Sequence, residues 1–177
     1  MKPRQALFFL FSLGTAFLSA SCGGDAVPDP QTVYPVCEEA KVAVNQEIVR
    51  REHADIALIA KRYNWHLRQD SSGVFYEILD AKTGASPRAK DRVRIKGRIY
   101  LQDGTEIYND NTDGVKEFTI NRSDDPAGLH ELLKLMREGE KAHAIIPSYL
   151  AYGILGGGEQ IPALSFLICE VELVKIN

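Results

Sequence analysis

The sequence predicts an α+β domain: an antiparallel sheet curved around a short helix, with an added long N-terminal helix. Three observations predict it. Arg92–Leu101 and Leu167–Leu173 alternate apolar and polar residues, the period of strands with one buried face. Leu129, Leu132, Leu133 and Met136 form an apolar stripe at helical spacing. Glu38–Tyr63 runs without a Gly or Pro, as one long helix should.

Met1–Ser21 reads as a signal peptide. Lys2 and Arg4 give a positive start, and the apolar run Ala6–Phe17 is too short to span a bilayer. The residues LSASC follow, the pattern of a bacterial lipoprotein signal cleaved before Cys22, which then carries lipid. Leu18 stands one place further from the cysteine than is usual. Ordinary secretion, with Cys22 left as a thiol, is the competing reading. Acyl chains add ~0.8 kcal/mol per buried methylene, so several on one cysteine anchor a protein to a membrane. The expected location is the bacterial cell envelope, facing the periplasm or the cell surface. Residues 22–37, rich in Gly and Pro, read as a semi-extended tether from the lipidated cysteine.

Residues 38–71 form the expected N-terminal helical segment. Glu38 and Glu39 open it, and Lys61 and Arg62 close it, as the helix dipole favours. Val42, Val49, Ile56 and Tyr63 recur every seven residues, which suggests a homodimer through this helix. Polar Gln46 and His53 at the alternate seam positions argue against a long zipper. Packing against its own domain through Ile56, Ile59, Ala60 and Tyr63 is the favoured reading, and Trp65 is expected to anchor the junction.

Residues 72–177 form the expected main domain. Gly73–Leu79 reads as a strand, and Lys82–Lys90 as a loop broken by Gly84 and Pro87. In Arg92–Leu101, Val93, Ile95, Gly97, Ile99 and Leu101 face the core. Arg92, Arg94, Lys96, Arg98 and Tyr100 face water, as in an antiparallel sheet wetted on one side. Asp103-Gly104 marks a hairpin turn. Asn109–Lys116 reads as a loop, followed by a short strand around Phe118 and Ile120. Asp125 is expected to cap the short helix, with Pro126 in its first turn and Gly139 closing it. Pro147 ends the next strand because proline cannot donate to a ladder. Gly156, Gly157 and Gly158 form a flap, and the last strand points Cys169 inward and Ile168, Glu170 and Glu172 outward.

Composition narrows the function. The hydrophobic fraction of 45% and charged fraction of 25% are those of a globular chain. Net charge is −3, and removing Met1–Ser21 with its two basic residues makes it more negative, which argues against a nucleic-acid partner. The four histidines, His53, His66, His130 and His143, lack ligand spacing and read as surface residues, so no metal or other cofactor is expected. Whether Cys37 and Cys169 are free or paired is left open.

The segments LQDGTEIY (Leu101–Tyr108), PAGLHELLKLMREGEK (Pro126–Lys141), IPSYLAYG, the glycine flap and the closing FLICEVEL resemble, in order and spacing, FKBP-type peptidyl-prolyl cis-trans isomerases. The likeness runs from about Gly73 to Asn177. It implies an isomerase of proline-containing polypeptides that assists protein folding. Tyr152 matches the tyrosine whose hydroxyl donates to a substrate carbonyl, and Ile161 matches an apolar flap residue. Phe118 matches a pocket phenylalanine, and Ile107 stands where a phenylalanine is usual. Leu129 replaces the aromatic of the pocket floor, Cys169 the phenylalanine of the last strand, and Tyr108 an aspartate. Gly97 falls where a tyrosine is usual. Pro126 falls where a backbone N–H contacts ligand, and proline has none to give. With much of the aromatic lining lost, poor macrolide binding and reduced isomerase activity are expected. The chain is also similar to gliding-motility-associated FKBP-like lipoproteins, which implies the alternative of a catalytically weak binding or assembly module in an envelope complex.

Overall fold

In the computed structural model, which describes residues 30–177 and side chains from residue 38 on, the sheet is organised about β3 (Arg92–Leu101). Its alternation is realised at Val93, Ile95, Ile99 and Leu101, which are buried, and at Arg92, Lys96 and Arg98, which are exposed; Arg94 and Tyr100, expected to face water, are half-buried, Tyr100 packing against the Ile56 cluster. Along one edge β3 pairs with β7 (Leu167–Ile176). On the other it pairs with β4 (Glu106–Asn109) and β5 (Lys116–Thr119). β7 pairs in turn with β6 (Lys141–Ile146), β6 with β2 (Phe75–Ile78), and β2 with the two-residue β1 (Arg68–Gln69). All pairings are antiparallel. Register shifts at Arg94/Ile95 and Ile99/Tyr100 interrupt the regular ladder of β3.

The helix α3 (Ala127–Leu135) lies against one face of this sheet. Leu129, Leu132, Leu133 and Met136 are buried with Val93, Ile95, Ile99, Ala144, Ile146, Val171 and Leu173. At roughly 25 cal/mol per Å² of apolar surface removed from water, this cluster is the main stabilising contribution.

The helix α1 runs from Pro30 to Tyr63, longer than the sequence suggests. Part of the expected tether is therefore helical. Pro30 occupies the first helical position, where a missing N–H is harmless, and Pro35 forfeits one hydrogen bond without ending the helix. Glu38 and Glu39 consequently lie beyond the first turn, whereas Lys61 and Arg62 do lie in the last. The chain divides into two compact units, Met1–Lys41 and Val42–Asn177. Of the first, the described part is the beginning of α1. The signal peptide, Cys22 and the rest of the tether lie outside the described residues, as does the side chain of Cys37. Among the described residues no helix is long and apolar enough to cross a membrane.

Within the second unit α1 packs on its own domain. Ile56 is buried with Ile145, Phe166 and Ile168, and Ile59, Trp65, Leu67, Phe75 and Tyr100 pack around them. This corrects the reading of β7 as a strand with one buried face. Ile168 points away from α3 yet is only 2% exposed, because α1 covers that face. Trp65 does anchor the junction, stacking on His143 with centroids 4.2 Å apart and on Tyr63 at 5.2 Å.

Three further expectations change. Asn109–Lys116 contains a one-turn helix α2 (Asp110–Asp113), whose Asn111 N–H is capped by the Asn109 side chain at 3.1 Å. Asp125 does not cap α3: the cap residue is Pro126, and the Asp125 carboxylate turns to Lys116 Nζ at 2.6 Å. Gly139 lies beyond the end of α3, in the turn where Glu140 N–H bonds the Arg137 carbonyl at 3.0 Å.

Candidate functional site

The end of β6 sets the site. Pro147 stops the strand and begins a single 3-10 turn, Ser148–Leu150. The Ser148 carbonyl accepts from Ala151 N–H at 3.0 Å and from Gly153 N–H at 2.8 Å. These two residues flank Tyr152, so its backbone is fixed from both sides. The following flap is pinned rather than loose: Gly157 N–H donates to the Ile161 carbonyl at 2.9 Å, and Leu164 N–H to that of Gly153 at 2.9 Å.

Folding brings the sequence-selected residues together. Tyr108, Phe118, Leu129, Ile161 and Cys169 are buried in one cluster, with Ile107 and Tyr152 half-buried against it. Pro126 is buried at the start of α3, two residues before the Gly128 that lets the helix approach Ile146. Phe118 pairs with Val93 across β5–β3 and meets the His130 ring edge-on at 5.4 Å.

The hydroxyl of Tyr152 has no hydrogen-bond partner among the described residues. Its ring lies against the flap, where a β-carbon on Gly157 would meet both Tyr152 and Ile161. Burial, and behind it the negative charge of Asp125, raise the hydroxyl's pKa above the ordinary tyrosine value. It therefore remains a proton-bearing donor throughout the physiological range.

Tyr108 is placed differently. Its hydroxyl lies 2.7 Å from the Gly114 carbonyl oxygen and 3.3 Å from that of Ile95, and accepts from Lys116 N–H at 3.2 Å. These contacts tie the α2 loop to β3, and its ring, buried in the cluster, contributes apolar surface. Cys169 is a free thiol whose complete burial pushes its pKa up to about 12, so it acts as a small apolar residue. Gly97 has φ +123, and a β-carbon there would lie 1.9 Å from the Glu170 carbonyl oxygen. A tyrosine at this position is excluded by the approach of β7.

Sequence reasoning misplaced or missed two polar residues. His130, read as a surface residue, is buried on α3. Its Nδ1 accepts from Asn121 N–H at 3.2 Å, and Nε2 faces the Ser123 carbonyl at 3.3 Å, which selects the neutral Nε2–H tautomer. Glu52, on α1, is only 7% exposed and accepts from Ser148 N–H at 2.5 Å and Ser148 Oγ at 3.1 Å. A signal for it exists: Glu52 precedes buried Ile56 by four residues and shares its helix face.

Comparisons with known proteins agree with this geometry. The family model for FKBP-type peptidyl-prolyl cis-trans isomerases matches residues 84–174, half of the chain. The chain is 39% identical over 106 residues to the FKBP-type 22 kDa peptidyl-prolyl cis-trans isomerase of Escherichia coli K12, covering 59% of this chain and 50% of that protein. It is 35% identical over 104 residues to the macrophage infectivity potentiator of Trypanosoma cruzi, covering 59% and 53%. To the outer membrane protein MIP of Legionella longbeachae it is 33% identical over 106 residues, covering 60% and 45%. The chain thus spans about half the length of the curated relatives it matches. The crystal structure of FkpA from Escherichia coli superposes with a TM-score of 0.61 at 26% identity, covering 83% of this chain and 70% of that one. With its sheet, short helix and long N-terminal helix in the same arrangement, the chain belongs to the FKBP-type peptidyl-prolyl cis-trans isomerase family.

Proposed function

We propose that this chain is a peptidyl-prolyl cis-trans isomerase acting on proline-containing polypeptides and assisting protein folding in the bacterial cell envelope. The observation that carries the reading is Tyr152, a protonated hydroxyl without a partner among the described residues, beside an apolar wall. The barrier to isomerisation is amide resonance, roughly 18–20 kcal/mol, and crossing it needs no nucleophile or metal. A hydroxyl donating to a substrate carbonyl, with apolar surfaces that exclude water, stabilises the twisted amide. Ile161, Phe118, Leu129, Ile107 and Cys169 would supply those surfaces, with the Tyr108 ring behind them and Pro126 at the helix edge. Residues 72–177 would be the isomerase domain.

The envelope location rests on relatives whose names include an outer membrane protein, and on the signal-like Met1–Ser21. Cys22 would carry the lipid anchor at the head of the tether. A homodimer through α1 is part of the same reading, favoured by the exposed Val42, the first residue of the seven-residue repeat.

A second reading, a binding or assembly module with weak catalysis, is favoured by one feature. Ile107, Leu129 and Cys169 line the site without aromatic faces, and Gly97 admits no side chain. Exchange NMR on a short Xaa-Pro peptide, with and without the full chain, separates the two. Faster cis–trans exchange that Tyr152→Phe diminishes establishes the isomerase. No acceleration by a folded chain would sink it and leave the binding module.

A further inference from the structure

We infer that Glu52 is a positioning residue for Tyr152, so that the N-terminal helix is a working part of the isomerase site. The inference rests on the proposed isomerase reading and deepens it.

The connection is short and complete. Glu52 sits on α1, before the segment that matches the family model, and reaches a residue 96 positions further on. Its carboxylate accepts from both the backbone N–H and the hydroxyl of Ser148, and both residues are buried. A carboxylate accepting from a backbone N–H forms a charge-assisted bond, stronger than a neutral one. Ser148 in turn holds Tyr152 through its carbonyl, which accepts from the N–H groups of Ala151 and Gly153 on either side. One residue, Ser148, thus stands between Glu52 and each of the bonds that set the tyrosine.

The N–H of Ser148 is also the first of a 3-10 turn that Pro147 prevents from extending backwards. No upstream carbonyl of that turn can satisfy it, so the donor needs a partner from elsewhere in the fold. Glu52 is that partner. Its burial is otherwise unfavourable, since a carboxylate removed from water must be fully hydrogen-bonded to be tolerated. The packing of Ile56 on Ile145, Phe166 and Ile168 supplies the docking of α1, and the preceding turn of the helix brings Glu52 to the site. Packing alone would be served by an apolar residue at position 52.

Glu52→Ala leaves the Ser148 N–H without a partner and releases the turn. Displacements of about 1 Å in a catalytic group can lower rates by up to about a hundredfold. A fall in kcat of about tenfold with KM little changed is expected, because the tyrosine bond strengthens in the transition state. Glu52→Gln keeps an acceptor for the N–H and should restore activity to within about twofold. In a Tyr152→Phe background, Glu52→Ala should add less than about a twofold loss, since the two act through one hydroxyl.

The test uses the full chain with its tyrosine rings isotopically labelled, and peptide exchange measured in parallel. The Tyr152 ring signals should shift or broaden in Glu52→Ala and return in Glu52→Gln. They should stay in place in Leu58→Ala, which alters an exposed position of the same helix. Unmoved Tyr152 signals in Glu52→Ala, equal shifts in Leu58→Ala, or losses that multiply with Tyr152→Phe would each overturn the inference. If the unaltered chain does not accelerate exchange, the isomerase reading fails, and the ring signals still decide whether Glu52 positions Tyr152.

Discussion

Gly157 passes so close to Tyr152 that a β-carbon on it would lie 2.8 Å from the ring Cδ1, and 3.0 Å from Cδ1 of Ile161. The flap and the tyrosine are therefore packed as one surface, and the absent side chain is what lets the ring lie flat beneath the loop. Gly157→Ala should push the ring or Ile161 aside. The expected outcome is a loss of about 1–3 kcal/mol in stability, typical of overpacking, and a larger proportional loss of exchange catalysis. Urea unfolding and peptide exchange measured on the same variant check both. Unchanged catalysis would show that the ring's seat under the flap is irrelevant to turnover.

Gly97 gives a second prediction. Its φ of +123 and the 1.9 Å approach of the Glu170 carbonyl oxygen make any side chain there both strained and obstructed. The obstruction is backbone of the neighbouring strand β7, which cannot swing away as a side chain would. Gly97→Ala should cost about 3 kcal/mol or more, read as a lower urea midpoint. The same geometry means that Gly97→Tyr, the substitution that would bring back the usual family residue, cannot rebuild an aromatic wall. A stable Gly97→Tyr variant would contradict this account.

Residues whose environment is set by their own period were legible in the sequence. Val93, Ile95, Ile99 and Leu101 alternate because they face one core while Arg92, Lys96 and Arg98 face water, and the stripe Leu129–Met136 follows from one helix on one core. The gathering of Tyr152, Ile161, Phe118 and Cys169 came from motif order, because no local period encodes which strands meet. What failed depended on a partner distant in sequence. Asp125 looked like a cap until Lys116, nine positions earlier, claimed its carboxylate. His130 looked exposed because its two backbone partners lie in a loop with no pattern of its own. Ile168 looked wet because nothing in β7 announces that α1 will cover it. Glu52 alone left a trace, a charge on the buried face of a helix.

Cys169 offers a chemical prediction. Burial raises its thiol pKa from 9.0 to about 12, while in the unfolded chain it titrates near its ordinary value. The thiolate is the nucleophile, so iodoacetamide at mildly alkaline pH should leave Cys169 unmodified in the native protein and label it readily in denaturant. Peptide mapping by mass spectrometry distinguishes it from the other cysteines. Because the folded pKa is the higher one, the contribution to stability is complete below about pH 9 and declines as pH rises towards 12. Cys169→Ala should flatten that alkaline decline. Ready labelling of the native thiol would show that this part of the core opens to solvent.

Trp65 and His143 report on the outer face of the sheet. The rings stack at 4.2 Å with an interplanar angle of 14°, and Nδ1 of His143 is buried without a partner among the described residues. Burial lowers the imidazole pKa below 6.5, and the carboxylates of Glu170 and Glu77 offset this only in part. Since the unfolded histidine takes up its proton first as pH falls, the stabilising contribution is present above about 6.5 and is lost as pH drops through the folded pKa. Trp65 is the only tryptophan, so its emission monitors this stack directly. The expected titration has a midpoint below 6.5, caused by quenching when the facing imidazole becomes charged. His143→Gln should abolish it, while His66→Gln, which alters a side chain 80% exposed and 3.7 Å from Glu77, should preserve it. A midpoint at or above 6.5 would mean that Glu170 and Glu77 outweigh burial. A titration surviving in His143→Gln would assign the signal to another group.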